Sequence, residues 1–600
     1  MCRCSLVCGA SFALLESTLA LTAVTGDDWA FTVLGRVGAG LLHTVLSGLN
    51  GWALASAPAP EVTVGDGPVK VLSATAEQVF LDIKPGQTAR LPRHKGDLEL
   101  INHSAGSITS QTYMKRWNRM NEVLADGAER SSAVAAWLGG RPYPLERLNR
   151  AWDLVLGSQM HDIIPGTSIP KAYEYSWNDE ILAANQFGGV LTSAAQSVAS
   201  VLDTRAEGAS VVVFNPLNIS REDIVEANVA FAAGTPKAVR VFGPDGAEVP
   251  SQLESGGKVI FAAKVPSIGF AVYDIRPSAT PAASTLKVDA SSLENGRYAV
   301  KLDANGDIAS IFDKQLGREL LSSPARLEIK TDNPRNWPAW NMDFDQQMAA
   351  PRTIVGGPAK VRVVESGAAR VALAVERKAE GSTFVQTIRL SAGDAGNRVE
   401  FGMDMDWMTR EAHLKAVFPL AAANGVATYN WDLGTIERKN NYDRQFEVAS
   451  HQWVDLTDRS GSFGATILTD CKNASDKPDD STIRLTLVRT PGVQGGYPDQ
   501  STLDIGHHEF FYGLAGHAGD FRAAGTDWQG FRLNQPLVAF ESPSHEGPLG
   551  KSLSFLSVSH PRVRVLAVKK AEQGDELVVR MVEMDGKLAP GVSLAFSAPL

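Results

Sequence analysis

Residues 145–177 read LERLNRAWDLVLGSQMHDIIPGTSIPKAYEYSW, two helical stretches on either side of a turn. Leu145, Leu148, Trp152, Val155 and Gln159 recur at steps of three and four until Pro165-Gly166 breaks the run. Past the break, Thr167 or Ser168 is placed to cap the next helix. Pro170 then falls in its first turn, where a missing N–H costs nothing. That helix is long, with Trp177, Ile181, Ala184, Gly188, Leu191, Ala195, Val198 and Leu202 at helical spacing. Upstream, Tyr113, Trp117, Met120 and Leu124 form another stripe, set off by Gly139, Gly140 and Pro142. Three such stripes can bury one another, so the spacing predicts a three-helix bundle over residues 91–205.

After Arg205 the texture changes. Val211–Phe214, Gly269–Tyr273, Ala369–Val375 and Leu577–Met581 are short runs, mostly β-branched and aromatic, between Gly, Asn, Asp and Pro clusters. No helical pattern alternates with them, which argues against a parallel βαβ sheet. The expected class is α+β and mostly β, a three-helix bundle followed by antiparallel β-sandwich domains. A small sandwich is assigned to 206–280 and a large, incomplete one to 281–600. Pro277 to Ser284 is read as the linker between them, and residues 1–90 as an unassigned leader.

Bulk properties narrow the function. With 44% apolar and 21% charged residues and a formal charge of −10, the chain is ordinary globular protein without an electrostatic grip on nucleic acid. Cys2, Cys4 and Cys8 crowd the start and Cys471 stands alone, which is neither a disulfide framework nor zinc-finger spacing. Leu6–Val24 and Trp29–Ala57 are apolar but interrupted, so no spanning helix is expected. The balance favours a cytoplasmic chain, with secretion or a periplasmic location as the alternative because the first apolar run follows Arg3.

The turn itself carries His161 and Asp162. A helix end holds a side chain rigidly while the turn opens to a cavity, although an isolated His-Asp pair is ordinarily a solvated couple. The surroundings add to it. Glu146 to Glu180 resembles the helical middle domain of glycoside hydrolase family 38 α-mannosidases, whose second helix ends in a His-Asp-x-x-x-Gly-[Thr/Ser] turn. Gly96–Leu100 and Ala105–Gln111 upstream resemble that family's approach to the first helix. Val211–Asn218, Asn333–Asp343, Gly434–Arg438, His451–Leu456 and Gly506–Phe510 follow in family order, so the resemblance spans about residues 90 to 580.

The resemblance implies a fold whose large sandwich is galactose-mutarotase-like, and zinc as cofactor. His161 matches the family's zinc-binding histidine, and Asp162 the neighbouring aspartate that contacts mannose hydroxyls. Trp337, Trp340 and Asp343 match a loop near the sugar cavity. It further implies hydrolysis of terminal α-mannose from a mannose-containing oligosaccharide or glycoside, with retention through two carboxyls about 5–5.5 Å apart. As protein partners the reading admits a homo-oligomer and, with less weight, a separately encoded barrel.

One departure is plain. The family's barrel carries a His-x-Asp pair, a nucleophile and an acid/base, and none of the 11 histidines here lies in His-x-Asp. About ninety residues upstream are too few for a barrel of roughly 200 or more. No catalytic residue is therefore expected in this chain, and the zinc site is expected to be incomplete, since one histidine cannot hold the ion tightly. The alternative function is a non-catalytic carbohydrate-binding or structural module. An unrelated β-rich protein ranks last, because it requires every motif match to be accidental. His507 and His508 point to opposite strand faces and read as strand residues, and Glu437-Arg438 reads as an ion pair; Asp343 and Asp345 share one face, as a carboxylate pair for acid/base work or, more commonly, a calcium-like or solvated loop.

Overall fold

The structure, a computed structural model, describes residues 75–94, 104–231, 233–431 and 433–597. The apolar leader, the three early cysteines and Gly96–Leu100 lie outside the described residues. The chain divides into two compact units, Met1–Leu98 and Glu99–Leu600. Of the first, one helical turn (Gln78–Leu81) and one 3-10 turn (Gln87–Arg90) are described. Everything below concerns the second unit.

Three helices open it: the first at Thr112–Trp137, the second at Leu145–Ser158 and the third at Pro170–Ala199. They share one apolar core, in which alanines dominate: Ala125, Ala128, Ala151, Ala183, Ala194 and Ala195, with Leu148, Val155 and Phe187. Small residues let the helix axes approach closely. The second stripe and the C-terminal half of the third face inward as expected. The others are displaced: Met120, Trp177 and Ile181 are 45%, 40% and 46% exposed. The buried face instead runs through Met114, Asn121 and Ala125 on the first helix and Tyr173, Ser176 and Glu180 on the third. Its polar members are paired, because Asn121 Nδ2 donates to the Glu180 carbonyl at 2.9 Å and to its carboxylate at 2.5 Å. A polar pair buried inside and aromatics left outside defeat a count of apolar spacing.

The small sandwich follows. One sheet holds Ala209–Asn215, Gly269–Ser278 and Ala238–Phe242; the facing three-stranded sheet holds Arg221–Asn228, Lys258–Val265 and Ser251–Leu253. Val211, Val213, Val225, Phe261, Tyr273 and Ile275 fill the space between them. The large sandwich is built on a nine-stranded and a six-stranded antiparallel sheet, with a five-stranded sheet over Lys287–Glu319 alongside. Phe384, Phe401, Trp407, Leu414, Phe418, Leu485 and Tyr512 are among its buried core.

The assignment of 281–600 to one sandwich fails at its end. Strand Val538–Ser542 pairs with Ala209–Asn215, and Ser552–Ser554 pairs with Gly269–Ser278, so both belong to the small sandwich. Beyond them, Phe555, Leu556, Val565 and Val568 pack into the helical core. Edge pairing of this kind satisfies strand N–H and C=O groups, and nothing in a strand's own sequence names its partner. Among the described residues no helix is long and apolar enough to cross a membrane.

Candidate functional site

Backbone hydrogen bonds hold the turn after the second helix closed. Ile163 N–H donates to Met160 O at 2.8 Å, Gly166 N–H to Ile163 O at 3.0 Å, and Thr167 N–H to Asp162 O at 3.1 Å. Gly166 adopts φ +86°, and a Cβ there would stand 2.2 Å from Ser110 O, so glycine is required on both counts. The expected cap is not made. Thr167 spends its hydroxyl on Asp162 Oδ1 at 3.0 Å, and Ser168 donates its N–H to Tyr173 Oη at 2.8 Å. Ile169 is the N-cap without a side-chain bond, while Pro170 does occupy the first turn. The Thr167 hydroxyl that could cap the helix stabilises the turn instead.

His161 and Asp162 project from this frame, with side chains 54% and 39% exposed and Nε2 of His161 3.3 Å from Asp162 Oδ2. Beneath them Lys115 is buried. Its ammonium donates to Ser110 O at 2.6 Å and Ile164 O at 2.7 Å, tying the turn to the segment before the first helix. Burial holds Lys115 below the ordinary lysine range. Asp504, from the large sandwich, accepts the Thr112 N–H at 2.7 Å and so caps the first helix across 392 positions of chain.

The loop Asn333–Asp343 forms the second part. Trp337 (φ +55°, 55% exposed), Trp340 and Tyr497 group with ring centroids 5.8–6.2 Å apart. Tyr497 was not anticipated, since it lies 157 residues beyond Trp340 and no local pattern links them. Asp343 and Asp345 do not share a strand face: Asp343 is the N-cap of a short helix, Phe344–Met348, Asp345 lies in its first turn, and Arg335 clamps both carboxylates. Arg335 keeps Asp345 below the usual carboxylate range, whereas burial raises Asp343.

Arg489 joins the two parts. It is fully buried; Nε and Nη2 grip Asp332 at 2.7 and 2.9 Å, Nη1 donates to Ser110 Oγ at 2.9 Å and Ala339 O at 3.1 Å, and Nη2 to Asn341 O at 2.8 Å. Ser110 thus stands between Gly166 of the turn and Ala339 of the tryptophan loop. The sequence singled out neither Arg489 nor Ser110.

The other groups are structural. His508 is buried, stacked on Tyr113 at 4.7 Å, and donates Nε2–H to Asp504 O at 2.6 Å. His507 faces the solvent with Glu509, opposite Asp404 and Asp406 on the paired strand. Arg438 is buried over Tyr429 and Trp431 while Glu437 is exposed, so consecutive strand positions part them instead of pairing them. Burial and nearby Lys472 hold the His508 imidazole down to about 3. Its unfolded value is about 6.5, so the unfolded chain takes up a proton in acid that the folded chain refuses. Stability is expected to fall as pH drops below about 6.5, by about 2 kcal/mol at pH 5. Guanidinium unfolding at about pH 7 and pH 5 measures it, and His508→Phe should flatten that part of the slope.

Comparison with known proteins follows the same two parts. The alpha mannosidase middle domain matches residues 103–197, which contain His161 and Asp162, and the glycosyl hydrolases family 38 C-terminal domain matches 293–500, which contain the tryptophan loop. The chain belongs to glycosyl hydrolase family 38. Alpha-mannosidase 2C1 of Homo sapiens is 29% identical over 542 residues, covering 87% of this chain and 48% of its own length. Alpha-mannosidase G of Dictyostelium discoideum is 27% identical over 565 residues, covering 86% and 50%. This family 38 chain thus spans about half the length of the curated relatives it matches. The crystal structure of an alpha-mannosidase from Enterococcus faecalis V583 superposes with a TM-score of 0.72 at 17% identity, covering 88% of this chain and 68% of that one, and shares its fold.

Proposed function

We propose that this chain supplies the middle and C-terminal part of a zinc-dependent, retaining α-mannosidase that removes terminal α-linked mannose from oligosaccharides. The observation that carries the reading is the His161–Asp162 turn: two exposed, chemically able side chains on a frame fixed by Gly166, Thr167 and Lys115, within the span that matches the alpha mannosidase middle domain.

Zinc takes three or four protein ligands. Among the described residues, the three whose ligand atoms gather within 4.8 Å are Asp404, His507 and Glu509, and His161 is not one of them. The residues present at the turn therefore do not by themselves make a zinc site. His161 fits as one ligand of a set completed by groups beyond this chain. The same holds for hydrolysis. Retention needs one ionised and one protonated carboxyl facing the scissile bond, whereas Asp343 and Asp345 are both clamped by one guanidinium. Asp162, as a hydrogen-bond acceptor beside His161, is assigned to sugar hydroxyls, and Trp337 with Trp340 to the wall of the sugar cavity.

The lack of any His-x-Asp favours a second reading, a carbohydrate-binding or structural part without chemistry of its own. Zinc titration of the purified chain tests the first. Binding weaker than about 10 µM is expected, reduced by His161→Ala and retained in His507→Ala. Tight stoichiometric zinc would mean the ligand set is complete here, and indifference to His161→Ala would remove it from that set.

A further inference from the structure

A cleft of about 890 Å³ opens between the first and second helices, the C-terminal hairpin Val563–Glu583 and the large sandwich at Gln452. Its volume lies in the ~300–1,000 Å³ range of small-molecule sites. Nothing in the mannosidase reading uses it.

Its wall is polar and of mixed sign. Most of its charges are already committed to one another: Arg119 to Glu122 at 3.6 Å, Lys569 to Glu572 at 2.7 Å, and Glu129 to the Trp152 indole N–H at 2.8 Å. Other groups are not committed. Asp153, on the second helix, and Arg580, on the C-terminal hairpin, are exposed, with no partner among the described residues. Three lining residues, Arg119, Arg564 and Gln452, each carry a buried side-chain atom without a hydrogen bond: Nε, Nε and Oε1. These three residues bring donor and acceptor groups to the wall beside the exposed charges. Trp152 and Leu156 supply apolar surface beside these groups.

The ligand must therefore meet donors, acceptors and both signs of charge without carrying charge itself. An anion would face Asp153 and Glu122, and a cation would face Arg580 and Arg119. A chain of hydroxyls serves every group, since each hydroxyl donates once and accepts twice. The C–H faces of pyranose rings suit Trp152 and Leu156. We propose that this cleft is a second, non-catalytic oligosaccharide subsite that holds neutral sugar residues by their hydroxyls. It is independent of zinc and of His161.

Saturation-transfer NMR and calorimetry on the full chain with linear α-mannotriose, maltotriose and xylotriose test it, with inorganic phosphate as the charged probe. At least one neutral trisaccharide should bind saturably. The Asp153→Ala/Arg580→Ala double variant, which breaks no ion pair or hydrogen bond among the described residues, should weaken it by about ten-fold or more. Leu156→Arg, an exposed change at the rim, should block it by size, and His161→Ala should leave it unchanged. Failure of all three sugars to bind the wild-type chain would overturn the proposal, as would preference for phosphate. Binding lost in His161→Ala and unaffected by the cleft variants would place the sugar elsewhere and overturn it equally.

Discussion

Asp223→Ala is expected to lower the stability of this chain by about 3–5 kcal/mol, enough to reduce its yield of folded protein. The carboxylate sits on a strand of the small sandwich and is 3% exposed. Arg398, entering the nine-stranded sheet, donates to Oδ1 at 2.9 Å; Arg532, on the short helix Asp527–Asn534, donates to Oδ2 at 2.9 Å; Arg221 stands 3.5 Å from Oδ2. Burial alone would raise this group, yet the guanidiniums of Arg398, Arg532 and Arg221 hold it well below the usual carboxylate range. Its contribution is thus present at neutral pH and lost only in strong acid. Removing it leaves three cations crowded out of water with too little negative charge, and burial already depresses Arg221. Asp223 also links small sandwich, large sandwich and short helix, so the loss should register across the whole unit. Differential scanning calorimetry checks it, and Asp223→Asn, which keeps the acceptor but not the charge, should fall between the two.

Arg489→Met is expected to cost a similar ~3–5 kcal/mol and, more tellingly, to loosen the tryptophan loop. The methionine fills comparable space but leaves the buried Asp332 carboxylate without its bidentate partner. It also strips donors from Ala339 O, Asn341 O and Ser110 Oγ, the groups that join the loop to the turn. Arg489→Lys should not rescue it, because one ammonium cannot reproduce a planar fork aimed at five acceptor atoms. Tryptophan fluorescence reports the local effect. Emission from the exposed Trp337 should shift and become more accessible to iodide, while the far-UV circular dichroism of the helices changes little.

These two residues show where sequence reading stops. The helices were legible because Leu148, Trp152 and Val155 repeat at helical spacing, and Pro165-Gly166 and Pro170 punctuate them by backbone geometry alone. His161 and Asp162 were legible because their turn has a local signature. Asp223 and Arg489 have none; each looks like any charged residue on a strand, and only the folded chain brings guanidiniums or carboxylates to it. The same reason hides the partnership of Tyr497 with Trp337 and Trp340, and the return of Val538–Ser542 to the small sandwich. Periodicity also misplaced the helix faces at Met120 and Trp177, where burial was decided by the paired Asn121 and Glu180. Helix and turn punctuation was legible in the sequence, and long-range pairing was not.

The central claim is that this chain contributes one wall of a mannosidase site, with the reacting carboxyls supplied from elsewhere. Release of chromophore from an aryl α-mannoside by the purified chain, with zinc present, tests it most directly. The account predicts no release above the protein-free baseline, for the wild-type chain and for His161→Ala alike. Turnover by the wild-type chain that His161→Ala abolishes would contradict it, because nucleophile, acid/base and metal site would all have to lie within these 600 residues.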